Sequence, residues 1–373
     1  MNRKKVLIVS VKAGYGHHST GQAMVDYFEE RGYICDMLDT FDYISPILGD
    51  SIQDGYVLIT KYLPDAFGKI YGTFDKKETK YNKYSLMSVL SNIVSNKLRD
   101  YITQFAPDIV IGTHSYACMV ITYLKEKGVL NCPTFGIVTD FTVHPFWEST
   151  DLDYYITPDK LLNLQMNKKG IPTEKVLPYG IPIKTKFSSK LSRDNAIKKL
   201  GIADNTTVLV MMGSMGYGKI SEQIKLLDAV DGDFQILCVC GNNDKMYKSI
   251  SKHKWNKKIY LYGFVNNVDV MMDAADCIIT KPGGLTTSEA MAKGLPIILM
   301  HPIPGQEDRN MEFLINNGSA VMVTDTFPID EAIYEIFHAD WHLSIMRESV
   351  SHLGKPNATR DVGEFVEKLL ETK

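Results

Sequence analysis

A chain of 373 residues, 45% of them apolar, is long enough to bury two separate cores. A formal net charge of −3 and a pI near 6.3 exclude the basic excess of a dedicated nucleic-acid binder. No apolar run approaches the ~18 residues that cross a bilayer. The first residues enter a strand pattern without the charged-then-apolar layout of a secretory leader, so the expectation is a cytoplasmic protein.

Short β-branched runs alternate with helix-period segments almost throughout. In chain order the expected strands are KVLIVSV, YICDML, DIVIGTH, PTFGIVT and DYYIT, then TTVLVMM, FQILCVC, KIYLYG, DCIIT, PIILM and AVMVT. Strands this apolar, regularly separated by helices, predict α/β architecture with doubly wound parallel sheets. The series is too long for one sheet, and a Pro, Gly, Lys and Ser-rich break falls at VLPYGIPIKTKFSSKLSRDN. Two Rossmann-like domains are therefore expected, 1–180 and 181–355, facing one another, with 356–373 a C-terminal helix packed back on the first. Six cysteines are scattered without a C-x-x-C pair, and Cys238 and Cys240 are expected to alternate across a strand. Buried free thiols are the expected state.

One stretch breaks the alternation. Residues 41–101 interleave aromatics with basic side chains, among them Tyr62, Phe67, Lys69, Lys76, Lys77, Lys80 and Lys83. In an acidic protein this suggests docking on an anionic membrane, each Lys near the surface contributing ~1 kcal/mol. A solvated helical excursion is the alternative.

The first strand runs into Gly14-Tyr15-Gly16-His17-His18-Ser19. With Asp36 this nearly spells a dinucleotide site, but Ser19 stands where the third glycine belongs. Adjacent His17 and His18 diverge and have no third metal ligand nearby. A plain tight turn and a histidine presented as general base at a helix N-terminus both remain open. Gly213 to Lys219 has P-loop spacing, yet position 220 is Ile where Ser or Thr must follow. A glycine turn whose amides meet a phosphate or sugar survives that objection, at Gly213, Ser214 and Gly216.

Further on, Lys281-Pro282-Gly283-Gly284 follows a strand and opens a helix, a place suited to a diphosphate. Thr286-x-x-Glu289 reads either as a capping box or as a ribose-binding acid. Gln306, Glu307 and Asn310 sit in a Pro/Gly-shaped loop and are able to hydrogen-bond sugar hydroxyls. Asp140 and His144 lie past another buried strand, with Trp147 beyond; the choice is an Asx turn with a packed Trp, or a carboxylate and imidazole at a site. The D-x-D pairs at Asp151/Asp153 and Asp231/Asp233 fall in turns before strands. His338 and His342 share a helical face but lack a third ligand.

Taken together, strand–GYGH–helix, PTFGIVTDFTVHPFW, GSMG, ITKPGGLTTSEA and PGQEDRN resemble, in the right order over most of the chain, the monogalactosyldiacylglycerol synthase and processive diacylglycerol glucosyltransferase family. The resemblance implies a GT-B fold, a UDP-sugar donor, no required divalent metal or other cofactor, a diacylglycerol acceptor and inversion at the anomeric carbon. It assigns His17 to the family's GGGH histidine and Asp140 and His144 to its catalytic TD…H…W block. It assigns Glu289 to the nucleotide ribose and Gln306 with Glu307 to the donor hexose. Gly16, Lys281, Gly283, Gly284, Thr286, Asn310 and Phe264 join Gly213, Ser214 and Gly216 in the expected donor-contact set. It places 41–101 where the family meets acceptor and membrane, implying a peripheral protein on the inner face of the cell membrane. Tyr15 stands where the family has glycine, and His18 where plant-type members have arginine. The spellings are closer to bacterial glucosyl members than to plant galactosyl ones, which makes glucose the expected sugar. The alternatives are galactose or N-acetylglucosamine on another lipid or polyprenyl acceptor, and a non-catalytic UDP-sugar sensor.

Overall fold

The computed structural model describes residues 3–11, 15–44, 98–212 and 220–372. It divides into two compact units, Met1–Thr185 with Pro304–Gln306 and Asn357–Lys373, and Lys186–Ile303 with Glu307–Pro356.

The first unit carries β1 (Lys5–Ser10), β2 (Ile34–Asp39), β3 (Ile109–Gly112), β4 (Thr134–Ile137), β5 (Tyr154–Ile156) and β6 (Val176–Leu177). They form one sheet in the order β2-β1-β3-β4-β5-β6, parallel throughout. β3 and β4 are buried along their whole length, as strands covered by helices on both faces must be. The strand order reverses between β1 and β3, so the loops leaving their carboxyl ends run to opposite faces and open a crevice there. β6 was absent from the expected strands; two residues are too few to carry a pattern.

The helix Ala358–Glu371 belongs to this unit. Val362 and Val366 join the core built by Val6, Ile8, Met24 and Phe28. The approach is close because residue 363 is glycine: a Cβ there would stand 2.0 Å from Cε1 of Tyr27. That ring is held from outside by the Arg31 guanidinium, 3.7 Å from its centroid.

The second unit carries β7 (Thr207–Met211), β8 (Gln235–Val239), β9 (Ile259–Tyr262), β10 (Cys277–Thr280), β11 (Ile297–Leu299) and β12 (Ala320–Met322). Their order, β12-β11-β10-β7-β8-β9, is again parallel, with the reversal between β7 and β10. The unit's first helix, Arg193–Leu200, starts where the Ser192 side chain accepts from Asn195 N and stops at left-handed Gly201, φ 64°.

Some local expectations are corrected. Cys238 and Cys240 do not alternate: a period of two puts both on one face, where their thiols hydrogen-bond to each other. His338 and His342 do not share a helix, because Ala339 separates the helices Ile329–His338 and Asp340–Leu353. The carboxylate of Asp153 holds a turn, accepting from Thr134 N at 2.9 Å and pairing with Lys125 at 2.7 Å. Of the 41–101 stretch, only residues 41–44, in the helix Thr40–Ile44, and helical residues 98–101 are described. Tyr62, Phe67, Lys69, Lys76, Lys77, Lys80 and Lys83 lie outside the described residues.

Replacing Gly363 by alanine tests the close packing of the C-terminal helix. In an open helix this change stabilises by about 1 kcal/mol; here overpacking against Tyr27 reverses the sign, to a loss of about 1–3 kcal/mol. Urea unfolding reads the difference, and a raised midpoint would show that the Tyr27 ring yields freely.

Candidate functional site

In the first unit the expected residues gather at the carboxyl ends of β1, β3 and β4, around the strand-order reversal. His17 lies in the first turn of the helix Tyr15–Glu29. Its Nδ1 stands 3.0 Å from the Thr113 carbonyl and 2.8 Å from Thr139 Oγ1. A carbonyl only accepts, so Nδ1 carries the proton and donates it, the Thr139 hydroxyl sharing the bond. In neutral His17 the lone pair is thereby left on Nε2. Thr113 itself is buried and donates from Oγ1 to Ser10 Oγ at 2.9 Å, fixing the end of β3 against the end of β1.

Two further imidazoles have the opposite tautomer. His114 caps the helix Ser115–Glu126, its Nδ1 accepting from Tyr116 N at 3.1 Å. His144 caps the short helical turn Pro145–Ser149, its Nδ1 accepting from Phe146 N at 3.2 Å. In each, the proton of the neutral ring must sit on Nε2. The His17 and His114 rings meet edge to face, centroids 4.5 Å apart and planes at 77°. Tyr116 and Phe146 continue the run of rings from His114 to His144.

Burial holds all three imidazoles toward their neutral forms. It lowers His17, against the opposing charge of Asp140 and the Thr113 hydrogen bond. It holds His114 well below the ordinary range, with His17 and His144 adding to the effect. His144 is brought down to about 4, by burial first and by Lys169 second. Neutral His17 with Nδ1 engaged is a base ready to take a proton at Nε2. The loop carrying Asp140 and His144 is held from below by Gln165, whose Oε1 accepts from Val143 N at 3.0 Å and Thr142 Oγ1 at 3.2 Å.

His114, Thr113, Thr139 and Gln165 were not singled out from the sequence. The first three had a readable signal, since each falls within two residues of the end of a buried parallel strand, much as Asp140 does. Gln165 had none, because its partners are backbone and hydroxyl groups more than twenty positions away.

In the second unit the loop after β10 opens the helix Gly284–Ala292 at Gly283, with no side-chain cap. The capping-box reading of Thr286 and Glu289 is thereby overturned: Thr286 lies inside the helix, and both side chains are half-buried. It is Thr287 that bonds back, donating to the Gly283 carbonyl at 2.9 Å. The first-turn amides are left without intrahelical partners, which makes this end an anion site in waiting.

Lys281 Nζ pairs with Glu307 Oε1 at 2.6 Å, and Glu307 Oε2 accepts from Ile303 N at 2.8 Å. Glu307 thus anchors Lys281 beside the Gly283 turn. Asn310 is fully buried and donates to the Pro282 carbonyl at 3.1 Å. Phe264 is 62% exposed. His301, just past β11, adopts a left-handed φ of 49°, a strained choice for a non-glycine residue at the start of this loop. Gly16 lies in the first turn of its helix; Gly213, Ser214 and Gly216, and the Gln306 side chain, lie outside the described residues. Among the described residues no group of three or more His, Cys, Asp or Glu side chains is arranged to hold a metal ion. Among them, too, no helix is long and apolar enough to cross a membrane.

Comparison with known proteins gives this geometry a context. Residues 17–183 match the family described as monogalactosyldiacylglycerol (MGDG) synthase, and residues 192–339 match glycosyl transferases group 1. The processive diacylglycerol beta-glucosyltransferase of Bacillus cereus (strain AH187) is 29% identical over 364 residues, spanning 94% of this chain and 90% of that protein. Among solved structures, MurG of Acinetobacter baumannii superposes with a TM-score of 0.63 at 16% identity, over 98% of this chain and 99% of that one. The calicheamicin glycosyltransferase CalG4 gives 0.63 at 13% identity, over 100% and 99%. These two establish the fold as GT-B.

The depressed ionisation of His144 has a direct consequence for stability. Its folded value of about 4 lies below the ordinary 6.5, so the unfolded chain takes up the proton first. The stabilisation is complete above pH 6.5 and is lost as the pH falls toward 4, at up to ~1.4 kcal/mol per pH unit for each such imidazole. His144→Asn keeps a cap acceptor and removes the titrating group. Urea melts across this window are expected to show a shallower acid loss in the variant; parallel curves would mean that His144 titrates normally.

Proposed function

From the match of residues 17–183 to the monogalactosyldiacylglycerol synthase family and the likeness to processive diacylglycerol beta-glucosyltransferases over 94% of the chain, we propose that the chain is a member of that family and an inverting transferase that moves glucose from UDP-glucose to the free hydroxyl of 1,2-diacylglycerol. The product is a β-glucosyldiacylglycerol. The observation that carries the chemistry is the donation from His17 Nδ1 to the Thr113 carbonyl, which leaves Nε2 as the acceptor nitrogen.

The hydroxyl oxygen of diacylglycerol attacks the anomeric carbon of the α-linked donor from the opposite face. As the new C–O bond forms, the bond to the β-phosphate oxygen breaks, and UDP leaves with that electron pair. The hydroxyl proton passes to Nε2 of His17, and the resulting imidazolium is balanced by Asp140, whose charge already favours protonated His17. His144 flanks the acceptor side. Negative charge growing on the diphosphate is met by the helix N-terminus at the Gly283-Gly284 turn, where the Gly284 and Thr286 amides are in the first turn, and by Lys281, with the loop at Gly213, Ser214 and Gly216 contributing further donors. One such donor is worth on the order of 3 kcal/mol in a transition state.

On this reading Glu289 holds the ribose, and Gln306 with Glu307 holds the hexose. Glu307 does so with its carboxylate already oriented by Lys281 and Ile303, and Asn310 supports the Pro282 turn from beneath. Gly16 and Phe264 border the donor. The acceptor lies in a bilayer, so the protein works peripherally on an anionic cytoplasmic surface, reached through the basic and aromatic side chains Tyr62, Phe67, Lys69, Lys76, Lys77, Lys80 and Lys83.

A product assay decides the acceptor and sugar together. Given UDP-glucose, UDP-galactose and UDP-N-acetylglucosamine in equal amounts, diacylglycerol in partly anionic vesicles, and EDTA, the protein is expected to yield glucosyldiacylglycerol by mass spectrometry. Release of UDP without glycolipid would leave the donor standing and overturn the acceptor. His17→Ala is expected to lower kcat about 10²–10⁴-fold while UDP affinity stays within twofold. Normal turnover in that variant would sink the base assignment.

A further inference from the structure

We propose that His114 is the positioning residue of the site: its ring sets the plane in which His17 presents Nε2. The inference rests on the reading of His17 as the base. Three observations carry it. First, among the described residues the hydrogen bonds to the His17 ring converge on one atom, Nδ1, from Thr113 O and Thr139 Oγ1. With the Cβ–Cγ bond they set the ring's orientation only within the tolerance of hydrogen-bond angles. The edge-to-face contact with His114, 4.5 Å between centroids, narrows what is left.

Second, the His114 ring is itself immobilised. Its Nδ1 is committed to Tyr116 N as the N-cap of a twelve-residue helix, and its face stacks on the Tyr116 ring at 5.2 Å and 12°. Residues 113 and 114 thus act as one unit: the carbonyl of the first fixes which nitrogen of His17 is protonated, and the ring of the second fixes where the other nitrogen points.

Third, histidine is an unusual choice for the cap. Ser, Thr, Asp or Asn would accept the same hydrogen bond at lower steric cost, so helix capping alone does not call for an imidazole. What only the ring supplies is the aromatic surface against His17. The choice also avoids a penalty. The groups facing the pair are Asp140 toward His17 and His144 toward His114, and His114 stays uncharged beside a base that must become charged during turnover.

Two substitutions separate ring from cap. His114→Asn keeps a cap acceptor and removes the ring; His114→Phe keeps the ring and removes the acceptor. The readouts are urea stability, kcat and KM for UDP-glucose, and the Nδ1–H resonance of His17 in histidine-labelled protein. The Asn variant is expected to keep near-native stability and an unchanged KM. Its kcat should fall about tenfold to a hundredfold, the scale of a misplacement near 1 Å, and its His17 Nδ1–H should broaden by exchange. The Phe variant is expected to be less stable, yet to keep kcat within threefold and a sharp His17 signal. An Asn variant with native kcat and a sharp signal would overturn the proposal, as would a Phe variant whose signal broadens as fully as that of Asn. The two readings fail separately. Normal turnover of His17→Ala removes the base, whereas the His17 resonance in the His114 variants judges the positioning whatever the activity.

Discussion

The hydrogen bond from His17 Nδ1 to the Thr113 carbonyl is the contact around which the first unit is arranged. An imidazole has two nitrogens of nearly equal basicity, and without a commitment at one of them the neutral ring divides its proton between both. A backbone carbonyl settles the matter because it has no proton to give. For that carbonyl to be in place, β3 must end at Gly112 with its next residue turned toward the first helix. The Thr113 hydroxyl does this by bonding to Ser10 at the end of β1. Sheet register, loop geometry and tautomer are therefore one problem with one solution.

Strand order explains why both units offer chemistry at the same end. In each, the sequence leaves a central strand, builds outward on one side, and returns to build on the other. The reversal separates two consecutive loops and exposes helix N-termini at the sheet's carboxyl edge. The first unit fills that edge with imidazoles and a carboxylate. The second fills it with a glycine turn, an uncapped helix and a lysine held by a buried glutamate. The side chains suit proton transfer on one and anion binding on the other, a division of labour that the local composition of each loop dictates.

Much of this was legible in the sequence. The parallel sheets followed from buried β-branched runs, and the turn residues Gly283 and Gly284 from their position between strand and helix. Asp140 stood out because it follows a buried strand, His17 because a glycine turn sets it at a helix N-terminus, and Glu289 through its spacing from Thr286 and the family resemblance. What stayed hidden depended on pairings across the fold. Thr286 and Glu289 spelled a capping box, but the helix began three residues earlier than the box requires, and spacing alone does not fix a helix start. His114 looked like an ordinary strand terminus until the order β1-β3 brought it against His17. The thiols of Cys238 and Cys240 were misassigned by a plain error of period, since residues two apart on a strand share a face.

On the reading of His17 as the base, catalysis and stability compete within one loop cluster. Each buried imidazole that stays neutral at moderately acid pH lowers the stability of the fold there, because the unfolded chain takes up a proton that the folded chain refuses. Charge coupling adds to the effect at His114, since a charge on His17 or His144 disfavours a charge there. A fold optimised for stability alone would replace His114 and His144 with Asn or Ser caps. Retaining imidazoles at both places keeps polar N–H groups and aromatic surface around His17, and does so without adding a fixed charge. The energetic cost falls in the acid range, below the pH at which a neutral base is needed, so the arrangement is selective about where it weakens the protein.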